Sequence, residues 1–226
     1  MEDHKLTGIL SALEVESNII LDEMSDCEQN TIAGMTFTKG RIYGKDIVLA
    51  TCGVSKVNAA LFTQIMIDHY GPERIIFTGV AGGMDDSIKQ MDLIIADELT
   101  FYDVSPKQLE LCFPYKVRFE ADPKLIELIS SRDPDIRKGL IITGDQFITK
   151  GELKNDLKNR FPDALAVEME GCSVAQACFV NGVPFAVLRC ISDLADDGAT
   201  DSYQEFEKLA AEKSAGIILE TLKELR

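Results

Sequence analysis

The sequence predicts an α/β fold: one domain over residues 1–226, built on a central mixed, largely parallel sheet flanked by helices. Three observations predict it. Short apolar runs of strand length alternate with stretches of helical spacing along the whole chain. The 226 residues, 46% hydrophobic, suit one large core better than two. No internal repeat, low-complexity tract or long linker divides them.

The elements follow in order. KLTGILSAL is a short apolar run, and EVESNIILDEM has helical spacing at Val15, Ile19, Ile20 and Met24. From Thr31 to Gly53 the chain reads as β-rich, with turns expected at Lys39-Gly40 and Gly44-Lys45. SKVNAALFTQIMIDHYGP is a helix with Ser55 as N-cap, apolar positions at Val57, Leu61, Ile65 and Met66, and a Gly-Pro stop. RIIFTGV and LIIADELTF are strands, and KLIELISS is a short helix. GLIITGDQFIT and ALAVEME are strands separated by the charged helix GELKNDLKNRF. GCSVAQACFVNG is a helix of small residues, PFAVLRCIS a strand, and SYQEFEKLAAEKSAGIILETLKELR a long terminal helix with apolar positions at Phe206, Leu209, Ala210, Ile217, Ile218 and Leu222.

Composition excludes several function classes. The start, MEDHKLTGIL, is neither a signal peptide nor a membrane span, which leads us to expect a soluble, cytoplasmic protein. A formal net charge of -15 opposes nucleic-acid and anionic-membrane partners and leaves a small neutral or zwitterionic ligand. The six cysteines form no CxxC pair and are expected as reduced core thiols. With only His4 and His69, a histidine metal site or a Ser-His-Asp triad has almost nothing to draw on. Catalysis has to use carboxylates.

In such sheets ligands sit beyond the carboxyl ends of the strands, and that is where the polar residues gather. Glu14 and Glu16 follow GILSAL, TGVAGG ends its strand in glycines, Asp145 and Phe147 follow IITG, Glu168 and Glu170 close AVEME, and Arg189 and Asp193 close VLRCISD. Glu14 reads as a first-turn residue favoured by the helix dipole. TGVAGG matches neither the dinucleotide fingerprint nor the Walker pattern, so it says only that backbone comes close to something. In an extended chain Glu168 and Glu170 face the same side. Buried and unpaired they cost several kcal/mol each, roughly. Arg189 in its apolar strand poses the same difficulty with opposite sign, and a buried ion pair without chemistry satisfies all three.

TGVAGG, GDQFI, VEME and RCISDLAD, in that order and over most of the chain, resemble the nucleoside phosphorylase superfamily, and within it the methylthioadenosine/S-adenosylhomocysteine nucleosidases. The resemblance implies cleavage of the N-glycosidic bond of 5'-substituted adenosines by water, without metal or cofactor, in a homodimer. Residue by residue, it makes Glu16 the general base and Asp193 the proton donor to adenine N7. It gives Glu170 the ribose hydroxyls and the developing oxocarbenium ion, with Glu168 on the ribose or on a structural partner such as Arg189. Phe147 stacks on adenine, the Ile148 backbone pairs with the purine edge, and Met169 lines the ribose. Leu13, Val54 and Tyr203 surround the water site and the 5' substituent, with Val80 and Gly82 on the glycine-rich strand beside them. Three departures stand out: Val80 replaces a usual serine, Leu13 a common methionine, and FYDVSPKQLELCFPYKVRFEADP lacks the family's usual interface and 5'-pocket stretch. A phosphorylase, a futalosine-type nucleosidase and a silent nucleoside-binding module remain as alternatives. Around Glu16, Val54 and Val80 there is no arginine to hold phosphate.

Overall fold

The computed structural model describes residues 5–225; His4, and Arg226 at the end of the expected terminal helix, lie outside them. Ten strands and seven helices follow one another as β1 (Thr7–Ser11), α1 (Glu14–Asp22), β2 (Ser25–Ile32), β3 (Met35–Ile42), β4 (Lys45–Thr51), α2 (Lys56–Tyr70), β5 (Arg74–Gly83) and β6 (Leu93–Phe101). Then come α3 (Pro106–Leu111), β7 (Phe119–Glu120), α4 (Pro123–Ser130), β8 (Arg137–Thr143), α5 (Gly151–Arg160), β9 (Ala164–Glu168), α6 (Gly171–Asn181), β10 (Phe185–Asp193) and α7 (Ala199–Glu224).

One sheet takes all ten strands in the order β10-β6-β8-β9-β5-β1-β4-β3-β2, with β7 on β6. Because β10 also pairs with β5, the strands β5, β9, β8, β6 and β10 close on themselves. The pairings β1–β4, β1–β5, β5–β10, β6–β8 and β8–β9 are parallel. As many are antiparallel, more than alternation along the chain predicts, because β9 and β6 run against β5 and β10. The apolar runs read as strands are buried on both faces: β10 has no exposed residue, and Ile9, Leu10, Ile75, Ile76 and Phe77 are fully buried. Helix α7 packs on β5 and β10 and carries α1 and α4, while α2 and α6 pack on each other and α6 reaches β8.

Several expectations need correction. Lys39-Gly40 is not a turn but lies inside β3, where Gly40 faces Ile47. The turns fall at Ala33-Gly34 and Tyr43-Gly44, both with positive φ at the two residues, the pattern that suits a two-residue hairpin. On α2 the buried face is Ala59, Phe62, Thr63 and Met66, whereas Val57 and Leu61 are 70% and 46% exposed. The helix is apolar on two sides, and spacing alone does not choose between them. Leu209 of α7 is likewise exposed. Cys52, Cys172, Cys178 and Cys190 are buried thiols, but Cys27 and Cys112 are exposed. Among the described residues no helix is long and apolar enough to cross a membrane.

Candidate active site

The strand ends converge. Chain leaving β1 turns at once into α1, and the Glu16 side chain folds back over that junction. Its Oε2 accepts the backbone N–H groups of Ala12 and Leu13, both at 2.9 Å, and its Oε1 accepts that of Val80 at 3.0 Å. Glu16 is 2% exposed, and burial raises its pKa above the ordinary value against the pull of Arg189 and of these donors. A carboxylate held this way is a stronger base than one in water. Gly79 makes the approach possible: with φ +154, a Cβ there would fall within 2.5 Å of Arg189 Nη1 and closer still to Glu16 Oε1.

Contrary to what their spacing predicts, Glu168 and Glu170 do not share a strand face. Glu168 is the last residue of β9, and Glu170, with φ -135 and ψ -39, is the N-cap of α6. The chain turns between them, and their partners differ. Glu168 Oε2 accepts the Glu170 N–H at 3.0 Å, the Gly171 N–H at 2.6 Å and Arg189 Nη2 at 2.6 Å, while its Oε1 accepts the Thr143 hydroxyl. It is saturated by protein. Glu170 Oε1 accepts only the Ser55 N–H, at 2.9 Å, and its Oε2 lies 3.9 Å from Arg189. Ser55 sits at the N-cap of α2, but its side chain makes no capping bond; its backbone, at φ 113, is turned to Glu170 instead. Arg189 is 1% exposed, lies 4.1 Å from the centre of the Phe77 ring, and leaves Nε and Nη1 without a hydrogen-bond partner.

Asp193 ends β10 at a bulge. The β5–β10 register shifts between Ile191 and Asp193, so Ser192 and Asp193, consecutive in sequence, both reach the same cavity. The Ser192 hydroxyl donates to Oδ2 at 2.9 Å and the Ala195 N–H to Oδ1 at 2.9 Å. Burial raises the pKa of Asp193, outweighing both hydrogen bonds. Phe147 is 45% exposed and meets Tyr203 edge-on at 5.4 Å.

Between these groups lies a cavity of about 260 Å³. Of the residues singled out from sequence, Leu13, Glu16, Val54, Val80, Gly82, Phe147, Glu168, Met169, Glu170, Asp193 and Tyr203 line it. Ile148 lines a small adjoining chamber with Gln146, Asp193 and Ala195. Arg189 lines neither and stands behind the glutamates as their counter-ion. Sequence reading missed Ala12, Ala81, Val167 and Ser192. Ala81 is the one that strand alternation signals, two residues from Gly79 and Gly83. Among the described residues no lysine or arginine lines either space, and no group of three or more His, Cys, Asp or Glu could hold a metal ion.

Sequence and fold comparisons place this arrangement. A model of the phosphorylase superfamily matches residues 7–223. The chain is 36% identical to the 5'-methylthioadenosine/S-adenosylhomocysteine nucleosidase of Staphylococcus carnosus strain TM300, over 97% of this chain and 100% of the relative. It belongs to the methylthioadenosine/S-adenosylhomocysteine nucleosidase family. A solved nucleosidase of that family from Neisseria meningitidis, in complex with methylthio-immucillin-A, superposes with a TM-score of 0.94 at 32% identity, covering 98% of this chain and 100% of that one. The native futalosine hydrolase of Helicobacter pylori strain 26695 superposes with a TM-score of 0.93 at 34% identity, over 100% of both chains.

For this nucleosidase-family chain the buried carboxyls set a pH dependence. Burial first, then Glu168, pushes the Glu170 pKa up to about 8, against Arg189 and the Ser55 N–H. A carboxyl whose folded pKa lies above its unfolded value holds its proton more tightly when folded. Its stabilising contribution is therefore complete below the ordinary value of 4.5 and is lost as pH rises to about 8. We expect Glu170→Gln to lose less stability than the parent between about pH 5 and about pH 9 in urea denaturation, by on the order of 1 kcal/mol or more. Equal slopes for the two proteins are the contrary result.

Proposed function

We propose that this enzyme hydrolyses the N-glycosidic bond of 5'-methylthioadenosine and S-adenosylhomocysteine, releasing adenine and the thioribose. The observation that carries the reading is the cavity itself: two buried carboxyls with raised pKa values face it, Glu16 from the first turn of α1 and Asp193 from the end of β10, and no cation lines it to hold phosphate. In this mechanism Glu16 takes a proton from water as the water oxygen bonds to the anomeric carbon. The bond from that carbon to adenine N9 breaks, and protonated Asp193 gives its proton to N7, so the base leaves neutral. The Glu170 carboxyl hydrogen-bonds the ribose hydroxyls, and once ionised it stabilises the positive charge on the sugar. Phe147 stacks on adenine, the Ile148 backbone pairs with its edge, Met169 lines the ribose, and Leu13, Val54 and Tyr203 surround the water and the 5' group. Glu168 and Arg189 serve by fixing Glu170.

Adenine release from methylthioadenosine, followed by ultraviolet absorbance and chromatography in phosphate-free buffer, tests the reading. We expect adenine and free thioribose at a rate that added phosphate leaves unchanged; release only with phosphate overturns water as the nucleophile. A futalosine-type substrate is the second reading, favoured by the likeness to the futalosine hydrolase and by the departures in residues 101–123, and it takes over if methylthioadenosine is inert.

We infer a cytoplasmic homodimer as well. Val57 and Leu61 on α2, Phe179 and Val180 on α6, and Leu111, Phe113 and Tyr115 in the α3–β7 segment are all exposed, large apolar side chains of the kind that a second copy covers. A single monomeric boundary in sedimentation velocity at micromolar concentration removes the homodimer.

A further inference from the structure

Lys154, on the second turn of α5, lines neither the cavity nor the chamber beside it. Its Nζ nonetheless donates to the Leu194 carbonyl at 2.6 Å. Leu194 directly follows Asp193, and the next residue, Ala195, has φ 51 and supplies the N–H that holds Asp193 Oδ1. The start of α5 makes a second contact with the same loop, the Gly151 N–H donating to Asp197 Oδ1 at 3.4 Å. Helix α5 is thus fastened to the loop that leaves β10 at the Leu194–Ala195 peptide, whose carbonyl meets Lys154 and whose N–H holds Asp193, and at the Asp197 side chain.

The same helix sits just beyond Gln146, Phe147 and Ile148 in the chain, which form one wall of the small chamber, while Asp193 and Ala195 form the other. Fully buried Leu157 anchors α5 in the core, so the ammonium group of Lys154 stands on a fixed base. It ties the wall that meets the purine edge to the wall that carries the proton. We propose that Lys154 is the positioning residue of the proton donor: by holding the Leu194 carbonyl it fixes the Leu194–Ala195 peptide, whose N–H sets the Asp193 carboxyl against the departing base. The proposal rests on the role given to Asp193 above.

The electrostatics around the pair have a definite sign. Burial raises the Asp193 pKa, Asp196 adds to the rise, and Lys154 opposes it. Lys154 itself is half-buried, its pKa lowered by burial; Asp196, Asp86 and Asp193 oppose that shift and Lys158 adds to it. From α7, Tyr203 faces Asp193 across the cavity. Losing Lys154 therefore moves the Asp193 pKa upward on two counts, the missing ammonium charge and the loosened Ala195 N–H bond, whereas a lysine that only stabilised α5 would leave it in place.

The test uses the full chain with ¹³C-labelled aspartate carboxyls, comparing the parent with Lys154→Met and Lys154→Arg, and with Asp193→Asn to assign the resonance. The expected result is a higher Asp193 titration midpoint in Lys154→Met, a kcat lower by about tenfold, an alkaline limb of the kcat profile displaced to higher pH, and recovery of all three in Lys154→Arg. If Lys154→Met fails to fold, Lys154→Gln is read in its place. An Asp193 midpoint that stays where it is overturns the proposal whatever happens to the rate. The carboxyl titration needs no substrate, so a parent enzyme that releases no adenine from methylthioadenosine counts against the function proposed above and leaves the pairing of Lys154 with Asp193 separately measured.

Discussion

Asp193→Asn lowers the rate of adenine release about 10²–10⁴-fold, the usual worth of a general acid, and leaves binding of methylthioadenosine within a few-fold of the parent. The reason lies in how little else changes. Asparagine has the same shape, its carbonyl oxygen still accepts the Ala195 N–H, and the Ser192 hydroxyl turns to accept from the new amide. What disappears is the one proton that burial keeps available on the parent carboxyl. Single-turnover release, measured beside calorimetric binding, separates the two quantities. An unchanged single-turnover rate removes Asp193 as proton donor, and a loss of binding in proportion to the rate makes it a ligand for the base instead.

The second large effect concerns stability. Arg189→Met removes the cation that holds Glu168 Oε2 at 2.6 Å and stands 3.9 Å from Glu170. Both carboxylates are buried, and an uncompensated buried charge costs about 3–5 kcal/mol. The variant should unfold at a correspondingly lower urea concentration, with a larger deficit at alkaline than at acid pH, since acid neutralises the stranded glutamates. Adding Glu168→Gln should return part of the loss, because the amide needs no counter-ion. A deficit under about 1 kcal/mol, or a double variant no more stable than Arg189→Met, contradicts the account of Arg189 as counter-ion.

The architecture was legible because strands buried on both faces must be written as continuous apolar runs, and helices between them must not. RIIFTGV and PFAVLRCIS could hardly be anything else. The gathering of Glu16, Glu168, Glu170, Arg189 and Asp193 was legible for a related reason: a charged residue at the end of such a run has to meet a partner or water. What the local pattern hid were features set by distant chain. The turn between Glu168 and Glu170 depends on Gly171 beginning α6, so a period of two was carried two residues too far. Ser55 resembled a side-chain cap, but its backbone is taken by Glu170, 115 residues away. The bulge at Ser192 and the closing of β10 onto β5 are long-range pairings that leave no local mark. The exposed side of α2 was misread because nothing within the helix says which of two apolar faces another surface covers.

One consequence follows from β5. Glu16 is fastened to the N–H of Val80, and Asp193 lies in register with Gly82, so the proposed base and the proposed acid are referred to points two residues apart on one strand. That strand works as a ruler, graduated at about 3.3 Å per residue, and sets roughly 6.6 Å between its two marks. Backbone spacing does not stretch with temperature or with side-chain repacking. The gap between the group proposed to prepare the water and the group proposed to release the base is thus copied from covalent geometry, and single-residue insertions or deletions in TGVAGG should be far less forgiving than any substitution of the walls.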